Sequence, residues 1–229
     1  MGSSILNIQQ AEDFVTNLKR SDNWISNEEL LTKLNDSYKF ILENSRGDLI
    51  PFVTVNIALY YIDLGEYGQA WEFTEIARQK AEEYKNFDCL LNAISLQYRI
   101  QLYLGNLEKS QEILNVQFES ALKYNDGFQL YSAFTNQAFQ YHLLNQKEDC
   151  IYAFEQAIKY VLKSKSHYYI AMTHINFAGY LMEFNEFERA RENLIKGNSV
   201  ALRHNFIKPL ALASANFGVL YFKQNNYKK

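Results

Sequence analysis

Apolar residues recur along this chain at helical spacing and are broken at short, regular intervals by polar stretches. Ile57, Tyr60, Tyr61 and Leu64 form one such stripe, Phe177, Tyr180, Leu181 and Phe184 another, and Phe217, Leu220 and Tyr221 a third. Steps of three and four residues put each stripe on one face of an α-helix. The pattern predicts first helices near 51–63, 89–103, 129–143, 168–183 and 209–223, and second helices near 67–84, 107–124, 147–163 and 187–204. Pro51 and Pro209 fall at helix starts, where a fixed φ fits and a missing N–H costs little. Upstream, Ile8 to Lys19 and Glu28 to Asn44 read as two further amphipathic helices, the second capped by Ser26 or Asn27.

The helices are copies of one unit. Leu64-Gly65-Glu66-Tyr67, Leu104-Gly105-Asn106-Leu107, Leu144-Asn145-Gln146-Lys147 and Phe184-Asn185-Glu186-Phe187 align without gaps, and Gln224-Asn225-Asn226-Tyr227 follows in the same frame. The turn position therefore reads Gly65, Gly105, Asn145, Asn185 and Asn225, a step of 40 residues. Gly and Asn enter the left-handed region most cheaply, and the residue after a helix end needs that region. Small residues hold three more columns: Ala70, Ser110, Cys150 and Ala190; Ala81, Ala121, Val161 and Ala201; and, with Tyr98 as the exception, Ala58, Ala138, Ala178 and Gly218. Small side chains at fixed register let neighbouring helices approach closely. Each period reads as helix, tight turn, longer helix and short connection.

Residues 51–229 thus divide into 51–90, 91–130, 131–170, 171–210 and a partial 211–229, with 1–50 as a degenerate helical pair that caps the stack. The expected fold is all-α: a superhelix of about five helix pairs plus a final unpaired helix. The fifth unit stops as its second helix should begin, which leaves Tyr221, Phe222 and Tyr227 without their packing partner. Either the chain continues beyond them or another molecule covers that edge.

Composition narrows the function classes. The chain has 229 residues, 9 Gly and 2 Pro, too few turn formers for a sandwich or barrel. A hydrophobic share of 48% supplies a core. A net charge of −3 offers no bulk positive field for nucleic acid or an anionic membrane. No uninterrupted apolar run suggests a membrane span, and no signal peptide opens the chain. Two cysteines, Cys89 and Cys150, fit a reducing, cytoplasmic compartment and read as packing residues. His142, His167, His174 and His204 lie in different periods outside any metal-ligand spacing. No GxGxxG, GKS/T or GxSxG segment is present. No catalytic role, metal or cofactor is expected.

The last unit, Asn216-Phe217-Gly218-Val219-Leu220-Tyr221 through Tyr227, resembles the tetratricopeptide consensus N-L-G-x-x-Y-x-x-x-G-x-Y. Asn176-Phe177-Ala178 and Asn56-Ile57-Ala58 match the same place, and Tyr67, Phe187 and Tyr227 match the aromatic after the turn. Ser110 and Cys150 depart from the consensus Ala that Ala70 and Ala190 keep. The period of 40 is longer than the commonest 34 and is similar to the long-helix repeats of bacterial signalling proteins. The resemblance implies a right-handed superhelix whose first helices line an inner groove.

It also implies a binding residue. The motif's Asn faces that groove, and here it is Asn56, Asn136, Asn176 and Asn216, with Leu96 in the second unit. A carboxamide both donates and accepts, so it can clamp an extended peptide backbone or, alternatively, bond a neighbouring helix. Beside this column the inner face should carry Arg99, Tyr103, His142, Glu183 and Lys223, with apolar Phe52, Leu59, Phe139 and Met172. Arg99 suits a ligand carboxylate. A C-terminal-carboxylate clamp is not expected, because only Arg99 and Lys223 supply the charge and they lie far apart. The expected function is a non-catalytic scaffold that binds a protein or peptide ligand, the sensory or docking region of a larger signalling protein. The alternatives are a homodimer through the C-terminal repeat and a peptide-controlled regulator acting on a partner protein.

Overall fold

The structure, a computed structural model, describes residues 7–18, 28–164 and 166–226. Ser26, Asn27 and Tyr227 lie outside them, so the expected cap and the aromatic of the fifth turn are not described. The described elements are helices: α1 (Ile8–Leu18), α2 (Glu28–Glu43), α3 (Ile50–Leu64), α4 (Tyr67–Glu83), α5 (Phe87–Tyr103), α6 (Leu107–Lys123), α7 (Gly127–Leu143), α8 (Lys147–Ser164), α9 (His167–Glu183), α10 (Phe187–His204) and α11 (Ile207–Asn226). A 3₁₀ turn, Gly47–Leu49, joins α2 to α3. Pro51 and Pro209 both sit in a first helical turn, where the sequence put them.

Two compact units divide the chain between Tyr124 and Asn125. In the first, α3 pairs with α4 and α5 with α6, α4 also packs on α5, and α1 and α2 pack on α3. In the second, α7 pairs with α8 and α9 with α10, α8 packs on α9, and α11 lies against α10 and α9.

Positive φ recurs at 20-residue steps among the described residues, twice as often as the turn column predicted. Positive φ occurs at Ser45, Gly65, Lys85, Gly105, Asn125, Asn145, Asn185 and Asn205. Most of these turns share one hydrogen-bond pattern. After α3, Glu66 N–H bonds Tyr61 C=O at 2.9 Å and Gly65 N–H bonds Ile62 C=O at 3.0 Å. After α9, Glu186 N–H bonds Leu181 C=O at 2.8 Å, and after α10 Phe206 N–H bonds Ala201 C=O at 3.0 Å. This is the Schellman arrangement, which satisfies the last carbonyls of one helix and sets the next helix antiparallel two residues later. Asn86 and Asp126 then cap α5 and α7, accepting from Cys89 N–H and from Phe128 and Gln129 N–H respectively. Asn225, expected as the fifth turn, stays inside α11. Asn costs only a few tenths of a kcal/mol to about 0.7 inside a helix, so it marks a turn only where packing draws the chain back.

The small columns are sealed between helices: Ala70, Ser110, Cys150 and Ala190, and likewise Ala81, Ala121, Val161 and Ala201, have no exposed surface. In the third column Ala58, Tyr98, Ala138 and Ala178 are equally buried, but Gly218 is exposed. In the first unit the core runs through Leu34, Ile41, Val53 and Ile57 and on to Ala58, Ala70, Leu96 and Ile100. The second unit centres on Phe154, Ile175, Phe177, Leu181, Leu194 and Leu220. Segment 47–64 reaches a mean hydropathy of 1.2, so one stretch does pass the length and composition test for a membrane span. Half of it is buried among the α2, α3 and α4 side chains as a core helix.

Candidate ligand-binding faces of the first helices

The expected binding residues fall on first helices in both units. In the first unit Asn56 is half-buried on α3, and its Nδ2 donates to Phe52 C=O of its own helix at 2.7 Å. On α5, Arg99 stacks over Tyr103 with its guanidinium carbon 5.8 Å from the ring centre. Tyr103 is 44% exposed and its ring lies 5.7 Å from that of Tyr67, the aromatic that opens α4. The turn aromatic thus steadies Tyr103, which in turn carries the Arg99 cation. Leu96, which replaces the column Asn, is buried in the core beside Ile100, so here the position is spent on packing.

The second unit assembles a denser face. Phe139 lies edge-on to Tyr180 at 6.5 Å, and His142 meets Tyr180 at 4.6 Å and Phe184 at 5.9 Å. His142 Nε2 stands 2.5 Å from Glu183 Oε2. Both members of this pair were placed on the inner face by sequence, and a step of 41 residues brings them together from α7 and α9. The other ring nitrogen of His142, Nδ1, is buried and has no hydrogen-bond partner. Asn176 and Asn136 are half-buried on the same helices. Asn216 turns towards α9, where its Nδ2 donates to Ile175 C=O at 3.2 Å. Lys223 Nζ donates to Met182 C=O at 3.3 Å, so its charge tethers α11 to α9. The Asn column therefore splits: Asn56 and Asn216 bond backbone carbonyls within their own unit, and Asn176 makes no side-chain bond among the described residues.

Two arrangements had no sequence signal. His167, which opens α9, and His204, which closes α10, stack at 4.1 Å, with Phe206 at 5.5 Å from His204. His174 is buried, and its Nδ1–H donates to Asn193 Oδ1 at 2.8 Å while Asn193 Nδ2 donates to Arg189 C=O. Burial holds the His174 pKa below its ordinary value, against the opposing hydrogen bond to Asn193. Gly197 of α10 passes close to this stretch of α9: a Cβ there would lie 3.2 Å from His174 Cβ. Burial pushes the Cys150 thiol up to about 12, which leaves it protonated and unreactive. Among the described residues, no three His, Cys, Asp or Glu side chains gather closely enough to hold a metal ion.

This is a tetratricopeptide-like helical-repeat fold. Solved structures share it, three of which follow. One is the signal transduction ATPase with numerous domains (STAND) with a tetratricopeptide repeat sensor, PH0952 from Pyrococcus horikoshii, at a TM-score of 0.68 and 14% identity, covering 99% of this chain and 36% of that one. The apo form of RapI aligns at 0.62 and 13% identity, over 95% of this chain and 84% of its own. BtubC (BKLC) from P. vanneervenii aligns at 0.62 and 15%, over 86% and 81%. This chain spans only about a third of the ATPase's length. No protein-family model matches the sequence, and no curated protein matches it either.

Proposed function

We propose that this chain is a non-catalytic scaffold that binds a peptide or protein segment along its first helices, as the sensory or docking region of a larger signalling protein. The observation that carries the reading is the face of the second unit. Phe139, Tyr180 and Phe184 give an aromatic floor, the His142–Glu183 pair gives a fixed polar edge, and Asn176 offers a carboxamide with both valences open. Such a surface suits an extended backbone, because amide recognition is blind to side-chain identity while the rings take apolar side chains. In the first unit Arg99 over Tyr103 adds a cation suited to an acidic side chain or a carboxylate. The tetratricopeptide repeat sensor named in one similar structure supports the signalling role.

The test is selection from a phage-displayed library of linear decapeptides on the immobilised chain, followed by calorimetry on the enriched sequences. Enriched peptides should bind this chain and lose at least about tenfold in affinity to Asn176→Ala, close to the ~1–1.5 kcal/mol of one net hydrogen bond. A library that enriches nothing, or peptides indifferent to Asn176→Ala and Phe139→Ala alike, overturns the reading.

A further inference from the structure

The second helices of the second unit segregate charge along their length. In α8 the acids Glu148, Asp149 and Glu155 stand in the first half, and the second half carries Lys159 and Lys163 with no acid. In α10 Glu188 and Glu192 stand in the first half, and Lys196 and Arg203 follow with no acid after them. Cations in a last turn suit a helix C-terminus, which accounts for Lys163 and Arg203 one at a time. It does not account for the apolar residues beside them. Leu162 is 53% exposed and Leu202, one 40-residue step on, is 57% exposed. Helical spacing puts Lys159, Leu162 and Lys163 on one exposed face of α8, and Lys196, Leu202 and Arg203 on one exposed face of α10.

The fold holds these two faces side by side. Tyr160 of α8 and Val200 of α10 pack against the same buried cluster, which includes Ala157 and Val161. Arg189 of α10 reaches Glu155 of α8 at 2.9 Å. The His167–His204 stack fixes the end of α10 against the start of α9, and Lys163 Nζ lies 5.3 Å from the centre of the Tyr160 ring. Asp126, the acid before α7 at this end of the unit, is turned to the Phe128 and Gln129 N–H groups.

We propose that the basic, leucine-bearing ends of α8 and α10 dock an acidic segment of another protein. The segment crosses the two helices, seats apolar side chains on Leu162 and Leu202, and sets carboxylates against Lys159, Lys163 and Arg203. An apolar centre inside a charged rim is the anatomy of a protein interface. An anionic bilayer laid along both helices would also meet Glu148, Asp149, Glu188 and Glu192, which repel it, whereas a crossing segment meets the basic halves alone. A phosphate backbone would use the cations and gain nothing from exposed leucines. The surface belongs to second helices, so it stands apart from peptide capture along the first helices.

The test pans a phage library of dodecapeptides, with positions drawn from Asp, Glu, Leu, Phe and Ser, on the immobilised 229-residue chain. Phage that also bind the chain carrying Leu162→Ser and Leu202→Ser are removed. Both leucines are exposed, so that variant should keep the native circular dichroism. Surviving peptides, fluorescein-labelled, should bind the chain saturably by anisotropy and the double leucine variant about tenfold or more weakly. Lys163→Glu and Arg203→Glu should each weaken binding by about threefold at low salt and less at high salt, and Asn176→Ala should leave it unchanged. No surviving peptide, or survivors indifferent to Lys163→Glu and Arg203→Glu or weakened by Asn176→Ala, overturns the proposal. Displacement of the survivors by phosphatidylserine vesicles or by oligothymidine overturns it in favour of a lipid or a nucleic acid. Sedimentation of the chain as a dimer that the double leucine variant converts to monomer overturns it in favour of a second copy.

Discussion

At Gly197 α10 passes close to the α9 backbone, and replacement by Ala separates local propensity from packing. Helix propensity alone favours the change by about 1 kcal/mol. In the 40-residue register, α4 and α8 carry Ala77 and Ala157 at the same place, so the sequence reads as tolerant. The structure says otherwise. A Cβ there would meet Ile175 Cγ1 at 2.6 Å, Ala171 C=O at 2.9 Å and His174 Cβ at 3.2 Å. Ala171 and Ile175 have no exposed surface, and a backbone carbonyl cannot rotate away, so α9 and α10 must move apart by several tenths of an ångström. Overpacking of this kind costs about 1–3 kcal/mol, and contact with main chain belongs at the upper end. Net of propensity, Gly197→Ala should destabilise by about 1–2 kcal/mol. The control is Gly68→Ala in α4, where no atom lies within 4 Å of the new Cβ. That change should stabilise by a few tenths to about 1 kcal/mol. Urea unfolding followed by circular dichroism reads the sign of each. A double-mutant cycle with Ile175→Ala, which removes the clashing atom, should show a favourable coupling of at least about 0.5 kcal/mol. If Gly197→Ala is neutral or stabilising, the α9–α10 distance is wrong.

His174 sets a pH limit. Its folded pKa lies below its unfolded value, so at neutral pH it is uncharged in both states and contributes no difference. As pH falls through about 6.5 the unfolded chain takes the proton first, and stability should drop until the lower folded value is passed. His174→Gln should flatten this fall below about pH 6.5 in urea midpoints; an unchanged slope contradicts it. At Gly65, with φ of 78°, Gly65→Val forces a β-branched residue into the left-handed region and should cost about 1–3 kcal/mol, read as a lowered melting midpoint. Asn176→Ala should leave the melting midpoint nearly unchanged while weakening a selected peptide by about 1–1.5 kcal/mol. A loss of several kcal/mol of folding stability in that variant would make the carboxamide structural.

The helices were legible because each burial stripe is long and each first turn carries Gly or Asn. The second set of turns was not, because its residues share no chemistry. Ser45, Lys85, Asn125 and Asn205 all take positive φ, and Lys has no side-chain reason to do so. What they share is position. Ser45, Lys85 and Asn205 each follow a helix whose last carbonyls are closed by Schellman bonds, and Lys85 and Asn205 stand two residues before a helix that packs on the one before. The packing of the pair forces the φ, so the 20-residue step is a tertiary property written only faintly in the sequence. The candidate faces divide along the same line. Spacing placed Phe139, His142, Asn176 and Glu183 on first helices, since that depends only on register. Whether a carboxamide points at solvent or at a carbonyl depends on how close the next helix comes.

That distance also explains why one Asn of the column differs from another. Asn216 reaches Ile175 C=O because α11 lies directly against α9, and Gly179, 3.8 Å from its Nδ2 by the position of an added Cβ, leaves room for the amide to cross. Asn176 stands at the same register on α9, facing α7, where the equivalent of Gly179 is the bulky Phe139. An aromatic side chain at that place, itself packed against Tyr180, leaves less room for an amide to cross than Gly179 does. On this reading the side chain that would floor the proposed binding face also keeps Asn176 from closing on its neighbour. Replacing Phe139 by Gly removes the floor and opens the path at once. On this reasoning Phe139→Gly silences peptide binding twice over, whereas Phe139→Leu, which blocks the path but loses the ring, should retain the Asn176 contribution and lose only the aromatic one.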